Sequence, residues 1–272
     1  MEFLNFTINL AEKAGKIILN YHKNGFEKEE KSEKDFVTEA DKEAENYIIK
    51  TIKKTYKDSG FLAEESEFKK ESEIKKLIKS PYIWIIDPLD GTNNFTHGFP
   101  QCTVSIALFK NQKIESGKNF KYLSGEIILG VIYQPFTKEM FYAEKGRGAF
   151  LNGEKITVSK IDKLKNALFG FEAPVYEYEQ NLDAFTTLHE KAHGIRQIGT
   201  AALNLAYLAS GRTDGFISFG LKPWDIAAGI LIIKEAGGKI TDSNGNLIDL
   251  FGKDILASNK VLHKEILKQL NE

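Results

Sequence analysis

Apolar residues recur at helical spacing from Phe3 to Tyr21, through Leu4, Ile8, Ala11 and Ile18, and stop before Asn24-Gly25. That period predicts a first amphipathic helix ended by a glycine. After a charged connection, Thr38 and Asp41 have the spacing of a capping box ahead of Tyr47, Ile48 and Ile52, so a second helix is expected there. The period then changes. Tyr82-Ile-Trp-Ile-Ile86 is a run of β-branched and aromatic residues closed by Asp87-Pro88-Leu89-Asp90-Gly91, the pattern of a buried strand feeding a tight loop. Cys102–Phe109, Ile127–Tyr133 and Met140–Ala143 read as further strands, and Leu151-Asn152-Gly153 carries a hairpin signal, giving a mostly antiparallel, β-rich stretch. Residues 111–126 form a polar connection longer than usual for a hairpin. Beyond Leu168–Phe171 the pattern becomes α/β. Helices are expected from about Tyr178 to Ala192, over Thr200–Ala209 and after Lys222-Pro-Trp-Asp225. Strands are expected at Gly215–Ser218, Lys239–Thr241 and Ile255–Ala257, with a last helix from Lys260 to Leu270.

With 272 residues, 42% of them hydrophobic, the chain can bury a sizeable core, as one domain over 1–272 or as two intimate lobes of about 1–160 and 161–272. Lys and Arg number 37 against 38 Asp and Glu, a net charge of -1 that argues against a dedicated nucleic-acid or membrane-surface binder. A single cysteine, Cys102, allows no internal disulfide, and neither a signal-peptide pattern nor a spanning apolar run is present; a cytoplasmic protein is expected.

Candidate chemistry starts at the turn after Ile86. Pro88 fixes its own φ and favours an extended Asp87, so Asp87 and Asp90 can face one small volume. Two close carboxylates stay ionised if they share a cation, and all-oxygen ligands suit Mg²⁺, Mn²⁺ or Ca²⁺ better than zinc. Gly91 admits a ligand to the backbone, and Thr92 supplies a hydroxyl and an N–H of the kind that holds phosphate. Asp also caps turns, and the same plain reading covers Asp41 in its capping box, Asp225 in the first turn of a buried helix, and Thr200 as the cap of an Ala/Leu helix. Glu64 and Glu65 look by composition like surface acids. His189-Glu-Lys-Ala-His193 matches the H-E-x-x-H zinc pattern, without a third ligand apparent downstream; a zinc hydrolase on His189 and His193 is the remote alternative.

The string Asp87-Pro-Leu-Asp-Gly-Thr-Asn-Asn-Phe95 resembles the signature of the inositol monophosphatase family, Mg²⁺-dependent and lithium-sensitive phosphatases. Val37-Thr-Glu-Ala-Asp41, Ala63-Glu-Glu-Ser66, Gly199-Thr-Ala-Ala202 and the stretch from Trp224-Asp225 to Gly238 are similar to further family motifs, in the family's order. Ala63 stands where the family has glycine. The resemblance implies a layered αβαβα sandwich with mixed, largely antiparallel sheets, usually a homodimer. It implies two or three Mg²⁺ ions, with Mn²⁺ as a substitute, held by Glu64, Asp87, the Leu89 carbonyl, Asp90 and Asp225. Asp41, Glu64 and Thr92 would act on the attacking water, and Asp90, Gly91, Thr92, Gly199, Thr200, Ala201 and Asp225 would contact substrate. Inositol 1-phosphate is the first expectation. Fructose 1,6-bisphosphate and nucleotide 3′,5′-bisphosphates are the alternatives, because Ser218 stands where inositol-specific members place a Glu, and Glu172-Ala-Pro-Val follows Phe171 in place of Gly-Ser-Ser.

Overall fold

In the computed structural model, residues 2–32, 35–66, 77, 79–111, 125–172, 178–252 and 254–271 are described. The sequence also predicts a Lys/Glu-rich helix after Phe61–Ser66; most of it, most of the 111–126 connection and residues 173–177 lie outside these.

Helices α1 (Glu2–Asn24) and α2 (Glu39–Thr55) follow the expected periods, and α2 opens on the capping box, with Thr38 and Asp41 bonded reciprocally. Between them lies a hairpin of β1 (Lys28–Ser32) and β2 (Asp35–Thr38), where the sequence suggested only a charged connection. Among the described residues the large sheet has seven strands, in chain order: β3 (Ser59–Ala63), β4 (Tyr82–Asp90), β5 (Thr103–Asn111), β6 (Gly125–Gln134), β7 (Glu139–Glu144), β8 (Ala149–Leu151) and β9 (Glu154–Ile156). Only β3 and β4 pair in parallel; the other neighbours are antiparallel. A short helix α3 (Thr92–Thr96) follows β4. The β8–β9 turn is Asn152-Gly153, both at positive φ (49° and 92°), as a two-residue hairpin requires.

The second sheet is mixed: β10 (Leu168–Phe171) is flanked in parallel by β11 (Gly194–Gln197) and β12 (Gly215–Phe219), while β14 (Asp254–Ser258) runs antiparallel to β12 and to β13 (Lys239–Thr241). The remaining helices are α4 (Tyr178–Lys191), α5 (Ala201–Ala209), α6 (Pro223–Glu235) and α7 (His263–Leu270).

Three apolar clusters set the layers. Leu10, Ile18, Ile48 and Ile52 of α1 and α2 pack on Trp84, Ile86, Val104 and Val131 of the large sheet. On its other face, Ile83, Ile85, Ala107 and Phe141 meet the all-round apolar helices α5 and α6, which also carry Phe216 and Ile255 of the second sheet. Leu188 of α4 and Ile266 of α7 cover that sheet's outer side with Phe169, Ile217 and Leu256. Helices therefore alternate with sheets in the expected αβαβα order. Among the described residues no helix is long and apolar enough to cross a membrane.

Candidate active site

The loop expected after Ile86 is a bulge inside β4. Asp87 pairs with Ser105 and Asp90 with Thr103, so three steps on β4 oppose two on β5. Pro88, which has no N–H to give the ladder, falls within that irregularity. Leu89 is fully buried and its N–H donates to Asp87 Oδ1 (3.0 Å), while its carbonyl accepts from Thr92 Oγ1 (3.1 Å). Gly91 sits at φ 97°, and a Cβ there would lie 2.9 Å from the Gln101 carbonyl and 3.2 Å from that of Gly199. Only glycine fits, and the 199 turn is brought against the start of α3.

Three further elements, with the end of β4 itself, bring acids to this point. Asp41, 0% exposed, accepts at Oδ2 from the Thr38 N–H (2.8 Å) and hydroxyl (2.5 Å), and at Oδ1 from Thr92 Oγ1 (3.0 Å). Glu64 continues the β3 ladder through its N–H to the Ile86 carbonyl (3.2 Å), which sets it beside Asp87. Ala63, in place of the family's glycine, is buried and needs no left-handed backbone; among the described residues only Lys138 and Asn152 are non-glycines at positive φ. Asp90 Oδ2 accepts from the Ala202 N–H (2.7 Å) and from the Thr200 hydroxyl, which itself caps α5. Asp225, in the first turn of α6, accepts at Oδ2 from the Lys222 N–H (2.7 Å).

Their electrostatics are those of crowded, buried anions. Burial first, then the charges of Glu64, Asp90, Asp225 and Asp41, push Asp87 well above the usual carboxylate range. Burial, then Asp90, does the same to Asp225. Glu64 is pushed up to about 7, mainly by burial and against the pull of Lys31, and Asp90 to about 6 by burial, against its hydrogen bonds to Thr200 and Ala202. Burial also raises Asp41.

Among the described residues no three His, Cys, Asp or Glu side chains already stand in position to ligate one ion. The donor set still fits a hard divalent cation: carboxylates and a main-chain carbonyl, all oxygen, whose ionisation a shared positive charge would restore. For His189 and His193 the same finding leaves no third ligand; both are exposed, and His189 lies flat on Phe185, 5.6 Å between ring centres.

The sequence reading missed three polar residues here. Lys31, on β1, places its ammonium 3.1 Å from Glu64 Oε1 and 2.6 Å from Glu65 Oε1. Glu45, on α2, accepts from the Glu65 N–H (2.8 Å) and the Ser66 hydroxyl. Glu172, just past β10, accepts the N–H groups of Gly199 and Thr200, and burial followed by the charge of Asp90 pushes it up to about 8. An acid at the carboxyl end of a strand in a mixed α/β sheet was the available signal for Glu172; for Lys31 there was none. The Gly199–Ala201 turn thus meets the other acids as expected, but its donors are engaged by Glu172 and Asp90.

The model of the inositol monophosphatase family matches residues 1–272. The chain belongs to that family. As a member, it is a phosphoric monoester hydrolase. It is similar to the fructose-1,6-bisphosphatase/inositol-1-monophosphatase of Thermotoga maritima, 37% identical over 273 residues, covering 100% of this chain and 97% of that relative. Human inositol monophosphatase 1 is 34% identical over 276 residues, covering 99% and 94%. The solved structure of the extragenic suppressor protein suhB from Bartonella henselae superposes with a TM-score of 0.88 at 36% identity, covering 100% of this chain and 99% of that one. The family's sugar-phosphatase fold is the layered arrangement described above.

Proposed function

We propose that this chain is a Mg²⁺-dependent phosphatase of small phosphorylated polyols, with inositol 1-phosphate as the preferred substrate. The observation that carries the reading is the gathering of Asp41, Glu64, Asp87, Asp90 and Asp225, from four elements, into one buried field in which burial raises every carboxyl and the charges of Glu64, Asp90, Asp225 and Asp41 raise Asp87 further. Such a cluster is costly without a cation and well suited to one.

Glu64, Asp87, the Leu89 carbonyl, Asp90 and Asp225 would hold two or three Mg²⁺ ions, with Mn²⁺ as a substitute. When bound, these ions supply an acidified water and neutralise charge on the transferred phosphate and the leaving oxygen. The protein's own part begins with Thr92. Its hydroxyl donates to Asp41 and lies beside the Leu89 carbonyl, so a water on Thr92 can pass its proton through that hydroxyl to the Asp41 carboxylate. Thr38 fixes the opposite oxygen of Asp41, which keeps the accepting oxygen turned toward Thr92. The N–H groups of Gly91 and Thr92 hold phosphate oxygens as the water attacks in line. Asp90 and the Gly199–Ala201 turn face the leaving alcohol. No covalent enzyme intermediate is needed.

Family membership supports three further inferences: a homodimer, inhibition by lithium, and a cytoplasmic location. Phosphate release with Mg²⁺ from inositol 1-phosphate, fructose 1,6-bisphosphate and adenosine 3′,5′-bisphosphate tests the substrate. The expected result is the highest kcat/KM for inositol 1-phosphate. A higher value for either bisphosphate would move the chain to that branch.

A further inference from the structure

The end of α6 remote from the acids borders a cavity of about 490 Å³. Asp225 stands in the first turn of that helix, and Lys234 follows nine residues later, roughly 14 Å along the axis. Phe109, Ile127, Ile230, Leu231, Ile248 and Leu250 give the cavity an apolar wall. Phe109, Ile230 and Leu231 are buried members of the central cluster, and the other three pack against it. The wall is thus the edge of the core.

Among the described residues five charged side chains also line the cavity, and four of them are engaged. Glu126 pairs with Lys145. Glu235 accepts the Gly146 N–H at one oxygen and the Gly148 N–H at the other, both at 2.8 Å. Asp249 Oδ1 accepts the Phe251 N–H (2.9 Å). The fifth, Lys234, has no carboxylate partner among the described residues. A lysine in the last turn of a helix ordinarily meets carbonyls left over there. Here the chain itself satisfies them: the Ile232, Ile233 and Lys234 carbonyls accept from the N–H groups of Ala236 (2.9 Å), Gly238 (2.9 Å) and Gly237 (3.1 Å). Lys234 is exposed, so a solute can reach it, while partial burial holds its ammonium below the usual range. A cation in that setting lacks a counter-charge.

We propose that this cavity binds a small amphipathic monocarboxylate, alkyl or aryl, with its carboxylate on the Lys234 ammonium and its body on the apolar wall. A volume of this size is that of an ordinary small-molecule site. The wall favours a hydrocarbon body over a sugar, whose hydroxyls would lose water without gaining partners there. One unpartnered cation matches one negative charge. A dianion such as inorganic phosphate would bring a second charge toward Glu235 and Asp249, with no further free cation among the described lining residues to meet it.

Calorimetric titration of the full chain in EDTA, which keeps metal from drawing the ligand to the acids, compares octanoate with acetate, octanol and inorganic phosphate. Octanoate should bind once per chain with a Kd on the order of 1 mM or below, and each of the others at least about tenfold more weakly. Lys234→Met keeps an unbranched apolar stem and removes the charge. It should weaken octanoate about tenfold and leave octanol unchanged, while Lys234→Arg should keep octanoate within about threefold of wild type. Thermal melting establishes that both variants are folded. Asp90→Asn should bind octanoate as wild type does, because the cavity lies apart from the acids. Equal octanoate binding by wild type and Lys234→Met would overturn the proposal, as would octanol binding as tightly as octanoate or no saturation by about 10 mM. Loss of binding in Asp90→Asn would put the ligand at the acids and overturn it as well.

Discussion

Asp41 is completely enclosed, with one oxygen bonded to Thr38 and the other to Thr92. Capping a helix and meeting the Thr92 hydroxyl are therefore the same placement, since the capping box holds one oxygen and leaves the other to Thr92. The pH response follows from the neighbouring acids. Glu64 near 7 and Asp90 near 6 lie above their unfolded values, so the metal-free fold binds more protons than the unfolded chain between about pH 4 and 7. That contribution favours the fold at low pH and is lost as pH rises through the folded values. Mg²⁺ bound as proposed would reverse it by favouring the ionised acids. The rise in Tm produced by Mg²⁺ over EDTA should thus be small at pH 5 and large at pH 8; equal shifts at both would contradict a carboxylate metal site. At this scale Asp87 and Asp90 were legible because Pro88 and Gly91 constrain them locally. Lys31 and Glu172 were not, since what they touch is 33 and 27 positions away, Glu64 for the one and Gly199 for the other.

At the scale of elements, strand β6 and helix α6 approach so closely that a Cβ on Gly130 would stand 2.6 Å from the Ala228 carbonyl and 3.0 Å from its Cα. Those are backbone atoms, so Gly130→Ala must displace α6 itself, and with it Asp225 in its first turn. The substitution should cost about 1–3 kcal/mol, a Tm fall of roughly 2–10 °C in a chain of this size, and raise the Mg²⁺ concentration for half-maximal activity. A variant with unchanged Tm and unchanged Mg²⁺ requirement would disprove that coupling. Periodicity revealed α1, α2, α5 and α6 because each has an apolar face or is apolar throughout. Strand β1 reads Lys-Glu-Glu-Lys-Ser and has no alternation of apolar with polar; it forms by pairing with β2, with Glu29 opposite Val37 and Glu30 opposite Phe36. The run after Ile86 looked like a loop because Pro88 argues against a strand, whereas a bulge lets β4 continue through it to Asp90.

At the scale of the molecule, α5 and α6 belong to both halves, since one apolar cluster joins Ile85 and Phe141 of the large sheet to Phe216 and Ile255 of the second. We propose on this basis that residues 1–272 form a single domain. Metal-free protein should then unfold in one calorimetric transition whose van't Hoff and calorimetric enthalpies agree, while two transitions would divide the chain near residue 160. The same shared layer places the site, because the large sheet supplies Asp87 and Asp90 and the central helices supply Asp225 and the Thr200 cap. The most direct measurement of this account is phosphate release from inositol 1-phosphate across a Mg²⁺ titration, for wild type beside Asp90→Asn. Turnover by wild type that requires Mg²⁺, and a loss of at least about a thousandfold in a folded Asp90→Asn variant, is the predicted result. Substantial Mg²⁺-dependent turnover by the variant, or wild-type turnover untouched by EDTA, would contradict the assignment of the acids as the metal site.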